Sequence, residues 1–219
     1  MTRRAVVAGA TGLVGKQLVQ LLLNDPEYYE ITLLVRRSTG ITHPKIHERI
    51  VDFDYLDREI LNLKDADVFC TLGTTIKKAG SQEAFRKVDY VYPLALGKLA
   101  QEQIAKQFLL ITSMGANPSS STFYIRVKGE VEQALRKLNL PVLHIFRPSL
   151  LLGDREKFRF GERFAAITSG LLSPMFFGPL RKYKPVYDRT VAMAMLQVAK
   201  SDLQGVHVHE SSQIVEVGQ

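Results

Sequence analysis

Short apolar runs alternate with longer stretches of helical periodicity along most of the chain. Residues 5–8 are apolar without interruption, the pattern of a strand buried on both faces. From Leu13 the period changes: Leu13, Val14, Leu18, Leu21 and Leu22 recur at helical spacing. Pro26 and Glu27 mark a loop, after which residues 31–35 and 46–53 read as second and third strands. A weak helical stretch over 56–63 leads to a fourth strand at 66–73 with a glycine exit. Residues 81–103 form a long amphipathic pattern, with Ser81 as N-cap and Glu83 in the first turn. Pro93 inside it predicts a kink or a break into two helices. A fifth strand at 108–112, a polar loop at 117–122, a helix at about 123–138 and a strand at 142–146 follow. Residues 154–164 alternate charge and aromatics, and 173–179 read as a loop or very short elements, so about 154–187 is expected to be an excursion on the substrate side. A helix at 188–200 and a strand at 205–209 then return to the sheet. No linker, repeat or low-complexity segment interrupts this order. Alternating strand and helix predict a doubly wound parallel α/β sheet in one domain spanning 1–219.

The join between the first strand and the first helix carries the strongest chemical signal. Gly9-Ala-Thr11-Gly12-Leu-Val-Gly15 places three glycines at three-residue spacing. A strand, a glycine turn and a helix in that order open a dinucleotide-binding βαβ unit. Gly9 lets the chain turn off the strand, Gly12 lets a pyrophosphate approach the backbone, and Gly15 lets helix and strand pack closely. The helix N-terminus offers unpaired N–H groups and a positive dipole end to the phosphates. At the tip of the second strand stand Arg36 and Arg37, where an acid would accept from the ribose 2′-hydroxyl of NAD. An arginine there pairs instead with a 2′-phosphate, so NADP(H) is expected in preference to NAD(H). Asp52, at the end of the third strand, is a candidate acceptor for the adenine amino group, or equally a turn residue. Gly73 and Thr74, at the exit of the fourth strand, are expected to pass under the cofactor.

Composition narrows the class. With 46% hydrophobic and 23% charged residues over 219 positions, the chain is that of a soluble globular domain with a sizeable core. No apolar run approaches the ~20 residues of a membrane span, and Met1-Thr-Arg-Arg4 leads into the first strand without an apolar signal core. The single cysteine, Cys70, excludes an internal disulfide, fits a reducing, cytoplasmic setting, and reads as a buried structural thiol. The net charge of +7 is spread over pairs such as Arg36-Arg37, Lys77-Lys78 and Arg86-Lys87, with one cluster at 181–184. Without a nucleic-acid motif, these charges are better explained by the phosphate-binding turn than by a nucleic-acid partner.

The candidate chemistry lies on the helix after the fifth strand. In Tyr124-Ile-Arg-Val-Lys128 the four-residue spacing puts phenol and ammonium on one face. An ammonium nearby stabilises a phenolate and can hold the nicotinamide ribose. Ser113, at the end of the fifth strand, can hydrogen-bond a substrate carbonyl. Together they can move a proton to or from a carbonyl–alcohol pair while a nicotinamide carries hydride. His207-Val-His209 could form half of a metal site, but no third ligand is evident and no metal is expected; His144 reads as a hydrogen-bonded core residue. Arg155, Lys157, Arg159 and Arg163 could line an anionic entrance or form a solvated face.

The glycine turn, Tyr124-Ile-Arg-Val-Lys128 and Phe146-Arg-Pro-Ser-Leu-Leu-Leu-Gly153 resemble the short-chain dehydrogenase/reductase superfamily, in particular its extended and atypical epimerase/dehydratase-like and NmrA-like members. Cys70-Thr-Leu-Gly-Thr-Thr75, Lys78-Ala-Gly80, Gly115-Ala and Val127-Lys-Gly-Glu-Val-Glu132 are similar to the Tat-interacting protein group of oxidoreductase-like proteins. The resemblance implies an NAD(P)-binding Rossmann fold, with cofactor contacts at Gly9, Thr11, Gly12, Leu13, Val14, Gly15, Arg36, Arg37, Asp52, Leu72, Gly73, Thr74, Lys128, Arg147 and Pro148. It assigns Ser113, Tyr124 and Lys128 to proton transfer on a small-molecule substrate. It implies a reductase or dehydrogenase; an NADP(H)-binding regulatory or redox-sensing protein with a protein partner and an epimerase/dehydratase are the alternatives. The chain lacks the large C-terminal substrate domain of sugar-nucleotide epimerases, which argues against a nucleotide-sugar substrate. The helices near 90–104 and 124–138 resemble the pair that dimerises many relatives, so a homodimer is a further expectation.

Overall fold

The computed structural model describes residues 2–153, 184–201 and 203–219. Nine strands lie among them: β1 (Arg3–Ala8), β2 (Tyr28–Val35), β3 (Ile46–Ile50), β4 (Asp67–Cys70), β5 (Gln107–Ile111), β6 (Val142–Arg147), β7 (Leu151–Leu152), β8 (Val186–Tyr187) and β9 (Gly205–Glu210). Seven form one parallel sheet in the order β3-β2-β1-β4-β5-β6-β9, and β7 pairs with β8 beside it. The order runs outward from β1 in one direction and from β4 in the other. The carboxyl ends of β1 and β4 therefore flank the crevice where such sheets place a ligand.

The helices are α1 (Leu13–Asn24), α2 (Ile76–Ala79), α3 (Gln82–Arg86), α4 (Tyr92–Glu102), α5 (Phe123–Leu135), α6 (Asp188–Ala199) and α7 (Ser211–Val217), with a 3-10 helix at Phe53–Arg58 and a π-helical turn at Lys87–Val91. Strand alternation divides the core. Ala5, Val7, Leu109 and Ile111 face α1 and α6, whereas Val6, Ala8, Phe108 and Leu110 face α4 and α5. Each fully buried aliphatic or aromatic side chain in these layers stabilises the fold by about 1.5–3 kcal/mol.

The predicted helix over 81–103 is one continuous path that widens at Lys87–Val91 ahead of Pro93. Pro93 lacks the N–H that a tight turn would use, and the wider turn absorbs the fault. The third strand stops at Ile50 rather than 53, because Asp52 caps the following 3-10 helix by accepting from the Asp54 N–H at 2.9 Å. The expected helical stretch over 56–63 is only the end of that 3-10 helix. The short α2, α7 and the β7–β8 pair are additions to the predicted elements. The excursion expected at about 154–187, with Arg155, Lys157, Arg159 and Arg163, lies outside the described residues except for its end at β8.

At the amino ends of the strands a buried polar hub fixes the sheet to the last long helix. Asp67 accepts from Arg3 (3.2 Å), the Tyr28 hydroxyl (2.7 Å) and Gln107 (2.7 Å), while Arg3 and Gln107 also donate to the Ala199 carbonyl. At the far edge, His144 stacks against His207 and lies across from His209, whose Nε2 is 3.1 Å from His144 Nδ1. His144 is fully buried and its Nε2 has no partner among the described residues; His207 and His209 are half-buried. Among the described residues, no group of acidic, histidine or cysteine side chains is placed to hold a metal ion, and no helix is long and apolar enough to cross a membrane.

Candidate active site

The carboxyl ends of β1, β2 and β4 open onto a cleft of about 830 Å³. Its near wall is the glycine turn. Gly9 has φ +93°, a left-handed conformation, and a Cβ there would lie 2.6 Å from the Thr71 carbonyl carbon. A Cβ on Gly15 would lie 2.1 Å from the Gly9 carbonyl oxygen, so α1 can start this close to β1 only with glycine at that position. Gly12 begins α1 with an extended backbone and no side-chain cap, leaving the first amides of the helix facing the cleft.

Eight of the predicted cofactor residues line this cleft together: Gly9, Thr11, Gly12, Arg36, Arg37, Leu72, Gly73 and Thr74. Val14 and Gly15 are buried behind the turn, and Leu13 is half-buried at the head of α1. Asp52 stands outside the lining, its carboxylate used as the turn cap already described. Arg147 is also elsewhere. It is clamped by the buried Glu132 (2.5 and 3.0 Å) and by Glu210 (3.0 Å), contacts that hold its guanidinium well above its ordinary pKa through hydrogen bonding to Glu132. Pro148 contributes its carbonyl, which accepts from the Met114 N–H at 2.9 Å, so Arg147 and Pro148 anchor the exit of β5.

That exit carries Ser113. Its hydroxyl oxygen is buried and has no partner among the described residues. A buried hydroxyl left without a partner is costly unless water or a ligand satisfies it, although Ser113 is not itself among the residues that line the cleft. The loop beyond it lies on α5, because Gly129 offers no side chain; a Cβ there would stand 2.2 Å from Asn117 and Pro118 backbone atoms. On α5, Tyr124 is half-buried with its ring 5.5 Å from that of Phe85. Lys128, one turn on, is buried and paired with Asp89 at 2.7 Å. Burial, the largest single influence, lowers the pKa of Lys128, but Asp89 together with Tyr124 and Cys70 outweighs it and the net direction is upward. Lys128 lies directly behind the cleft: a Cβ on Gly73 would come within 3.8 Å of its Nζ.

Lys78 and Lys87, from the basic pairs assigned to the phosphate-binding turn, line the cleft together with Phe53 and Tyr92, which were not anticipated. Lys87 and the Tyr92 hydroxyl both reach Asp54, at 2.7 and 3.0 Å. Asp89 was legible only as a carboxylate on the apolar stripe that Phe85, Pro93 and Leu96 make along the helix. Cys70 is the buried thiol expected, pushed up to about 12 by desolvation.

Comparison with known proteins agrees with this geometry. Residues 9–170 match the model of a family described as NAD(P)H-binding. Protein HTATIP2 of Rattus norvegicus is 38% identical over 178 residues, covering 80% of this chain and 70% of that protein. Protein FMP52, mitochondrial, of Meyerozyma guilliermondii is 35% identical over 205 residues, covering 92% and 87%. Among solved structures, the Bordetella bronchiseptica enzyme WbmH in complex with NAD+ superposes with a TM-score of 0.68 at 18% identity, covering 96% of this chain and 76% of that one. The oxidoreductase ylbE of Lactococcus lactis superposes with a TM-score of 0.56 at 21% identity, covering 68% and 70%. These two likenesses show the Rossmann-type fold.

Proposed function

The chain belongs to the NAD(P)H-binding family, and we propose that it is an NADP(H)-dependent oxidoreductase of the atypical short-chain dehydrogenase/reductase type, acting on a small carbonyl or alcohol. The observation that carries the reading is the buried Ser113 hydroxyl at the exit of β5, without a partner among the described residues, with Tyr124 and Lys128 on the helix that follows. Gly9, Thr11 and Gly12 would hold the pyrophosphate, and Gly73 with Lys128 the nicotinamide ribose. A bound nicotinamide supplies or accepts hydride. Ser113 donates a hydrogen bond to the substrate oxygen, and Tyr124 passes the proton to or from the same oxygen. Arg36 and Arg37, with Lys78 and Lys87 in the same lining, favour a 2′-phosphate. The reading places the chain in the cytoplasm; the mitochondrial name belongs to the Meyerozyma protein, and fractionation of tagged protein separates the two compartments.

Calorimetric titration of cofactor-free protein with NADPH and NADH tests the cofactor, and Tyr124→Phe on a carbonyl that the wild type reduces tests the chemistry. Equal affinities remove the NADP preference. Unchanged turnover in Tyr124→Phe removes the proton-transfer role. Binding without turnover over a broad carbonyl panel turns the reading to a regulatory protein.

A further inference from the structure

We propose that Asp89 is the positioning residue of this site: it fixes the Lys128 ammonium in place, keeps it charged, and ties it to the loop that floors the cleft. The proposal deepens the NADP(H) reading and rests on it.

The Asp89 side chain is completely buried and that of Lys128 nearly so. One carboxylate oxygen of Asp89 stands 2.7 Å from Lys128 Nζ, and the other accepts from the Thr74 N–H at 2.9 Å. Thr74 and its neighbour Gly73 line the cleft. A Cβ on Gly73 would lie 3.5 Å from Asp89 Oδ1 and 3.8 Å from Lys128 Nζ, so the pair is separated from the cleft by a residue with no side chain. A buried ion pair adds little net stability over apolar residues of the same shape. Its location beside a ligand cleft therefore points to a use. Asp89 sits at the centre of the π-helical turn Lys87–Val91, a widened geometry that recurs at functional sites.

The groups that interact with Lys128 come from three elements: Asp89 from the π-helical turn, Tyr124 from its own helix, and Cys70 from β4. The Cys70 thiol, held up at about 12 by burial, stays neutral. Asp89 is thus the carboxylate, and the leading influence, that opposes loss of the Lys128 proton to desolvation. It need not touch substrate or cofactor to do so.

The test is NADPH affinity by calorimetry between pH 7.0 and 9.5 for wild type, Asp89→Asn and Lys128→Met. The asparagine keeps the shape and removes the charge. Wild-type affinity is expected to be flat over this range. Asp89→Asn is expected to start near wild type and weaken about tenfold by the alkaline end, about the worth of one charge-assisted hydrogen bond. Lys128→Met is expected to be weak and flat. A flat Asp89→Asn profile, whether strong or weak, overturns the proposal, since a purely structural role creates no new pH dependence. If the wild type binds neither NADPH nor NADH, the proposed function falls and the ribose-holding part of this proposal with it. Thermal unfolding of wild type and Asp89→Asn then decides the charge-setting part. An unpartnered Lys128 releases its proton more readily folded than unfolded, so the stability gap between the two proteins narrows as pH rises from 7.0 to 9.5. A constant gap overturns it.

Discussion

Mild acid will destabilise this protein through the histidines at the edge of its sheet before its carboxylates titrate. His144 is fully buried, and desolvation, then the His209 and His207 rings, hold it down to about 3; His209 is held to about 4 by desolvation and then His207. Unfolded, both bind protons near pH 6.5. The native state therefore binds fewer protons than the unfolded one throughout the interval between. Their contribution is complete above pH 6.5 and is lost as the pH falls toward the folded values. At pH 4.5, two units below the free imidazole, the cost is about 2.7 kcal/mol for a group held neutral. His144 bears this in full; the half-buried His209 is screened by water and adds about 1 kcal/mol. The expected loss of about 3–4 kcal/mol is a large part of the 5–15 kcal/mol available to a domain. Urea unfolding at pH 7.0, 6.0, 5.0 and 4.5 reads the slope directly. His144→Leu removes the buried titrating group and should flatten the slope by about one proton while costing stability at pH 7. Equal slopes for the two proteins over pH 6.5–4.5 would refute the reasoning.

Three further outcomes follow from single contacts. Gly15→Ala places a methyl 2.1 Å from the Gly9 carbonyl oxygen. It should abolish measurable NADPH binding and destabilise by about 1–3 kcal/mol or more; calorimetry with wild-type affinity would show that the turn has slack. Tyr28→Phe removes a 2.7 Å hydrogen bond to the buried Asp67, leaving Arg3 and Gln107 in place. A loss of about 1–2 kcal/mol is expected in urea titrations, and a change within error would mean the hub is redundant at that contact. Cys70, buried and held up at about 12, should stay unmodified by a thiol-disulfide reagent at pH 8 until the chain unfolds. Labelling faster than unfolding would contradict its burial.

Much of the fold is legible because each buried strand is a short apolar run and each flanking helix shows its own period. Residues 5–8, 31–35 and 142–146 pair as expected, with parallel registers that follow from the helical crossovers. The glycine turn is equally legible, since Gly9 and Gly15 are demanded by backbone geometry that no other residue satisfies. What sequence conveys poorly is where a polar side chain finds its partner. Arg147 follows a strand at the cleft end of the sheet, yet its charge is consumed by Glu132 and Glu210, residues 15 and 63 positions away. Asp52 caps a turn through one carboxylate oxygen because Asp54 supplies an amide two positions on, which fits one of the two readings its position allowed and leaves its other oxygen for the second. Lys78 lies on the separate short α2 and Lys87 at the start of the π-helical turn, a local change of helical geometry that a continuous amphipathic pattern conceals.

Three of the buried carboxylates among the described residues separate into two kinds. Asp67 is surrounded by Arg3, Tyr28 and Gln107, which it joins to the last long helix through the Ala199 carbonyl. Glu132 is likewise closed by Thr112 and Arg147. Both hubs stitch distant segments together and have their acceptors filled from within the protein, which is what a structural role requires. The third, Asp89 with Lys128, differs in its surroundings. Only Gly73 stands between it and the cleft, and its second carboxylate oxygen holds a cleft-lining amide. The Ser113 hydroxyl at the exit of β5 has no partner among the described residues. The amino-edge hub is thus filled from within, whereas among the described residues the carboxyl edge keeps one buried hydroxyl without a partner. A ligand that brings a ribose and a carbonyl oxygen to that edge would complete what the fold there leaves open.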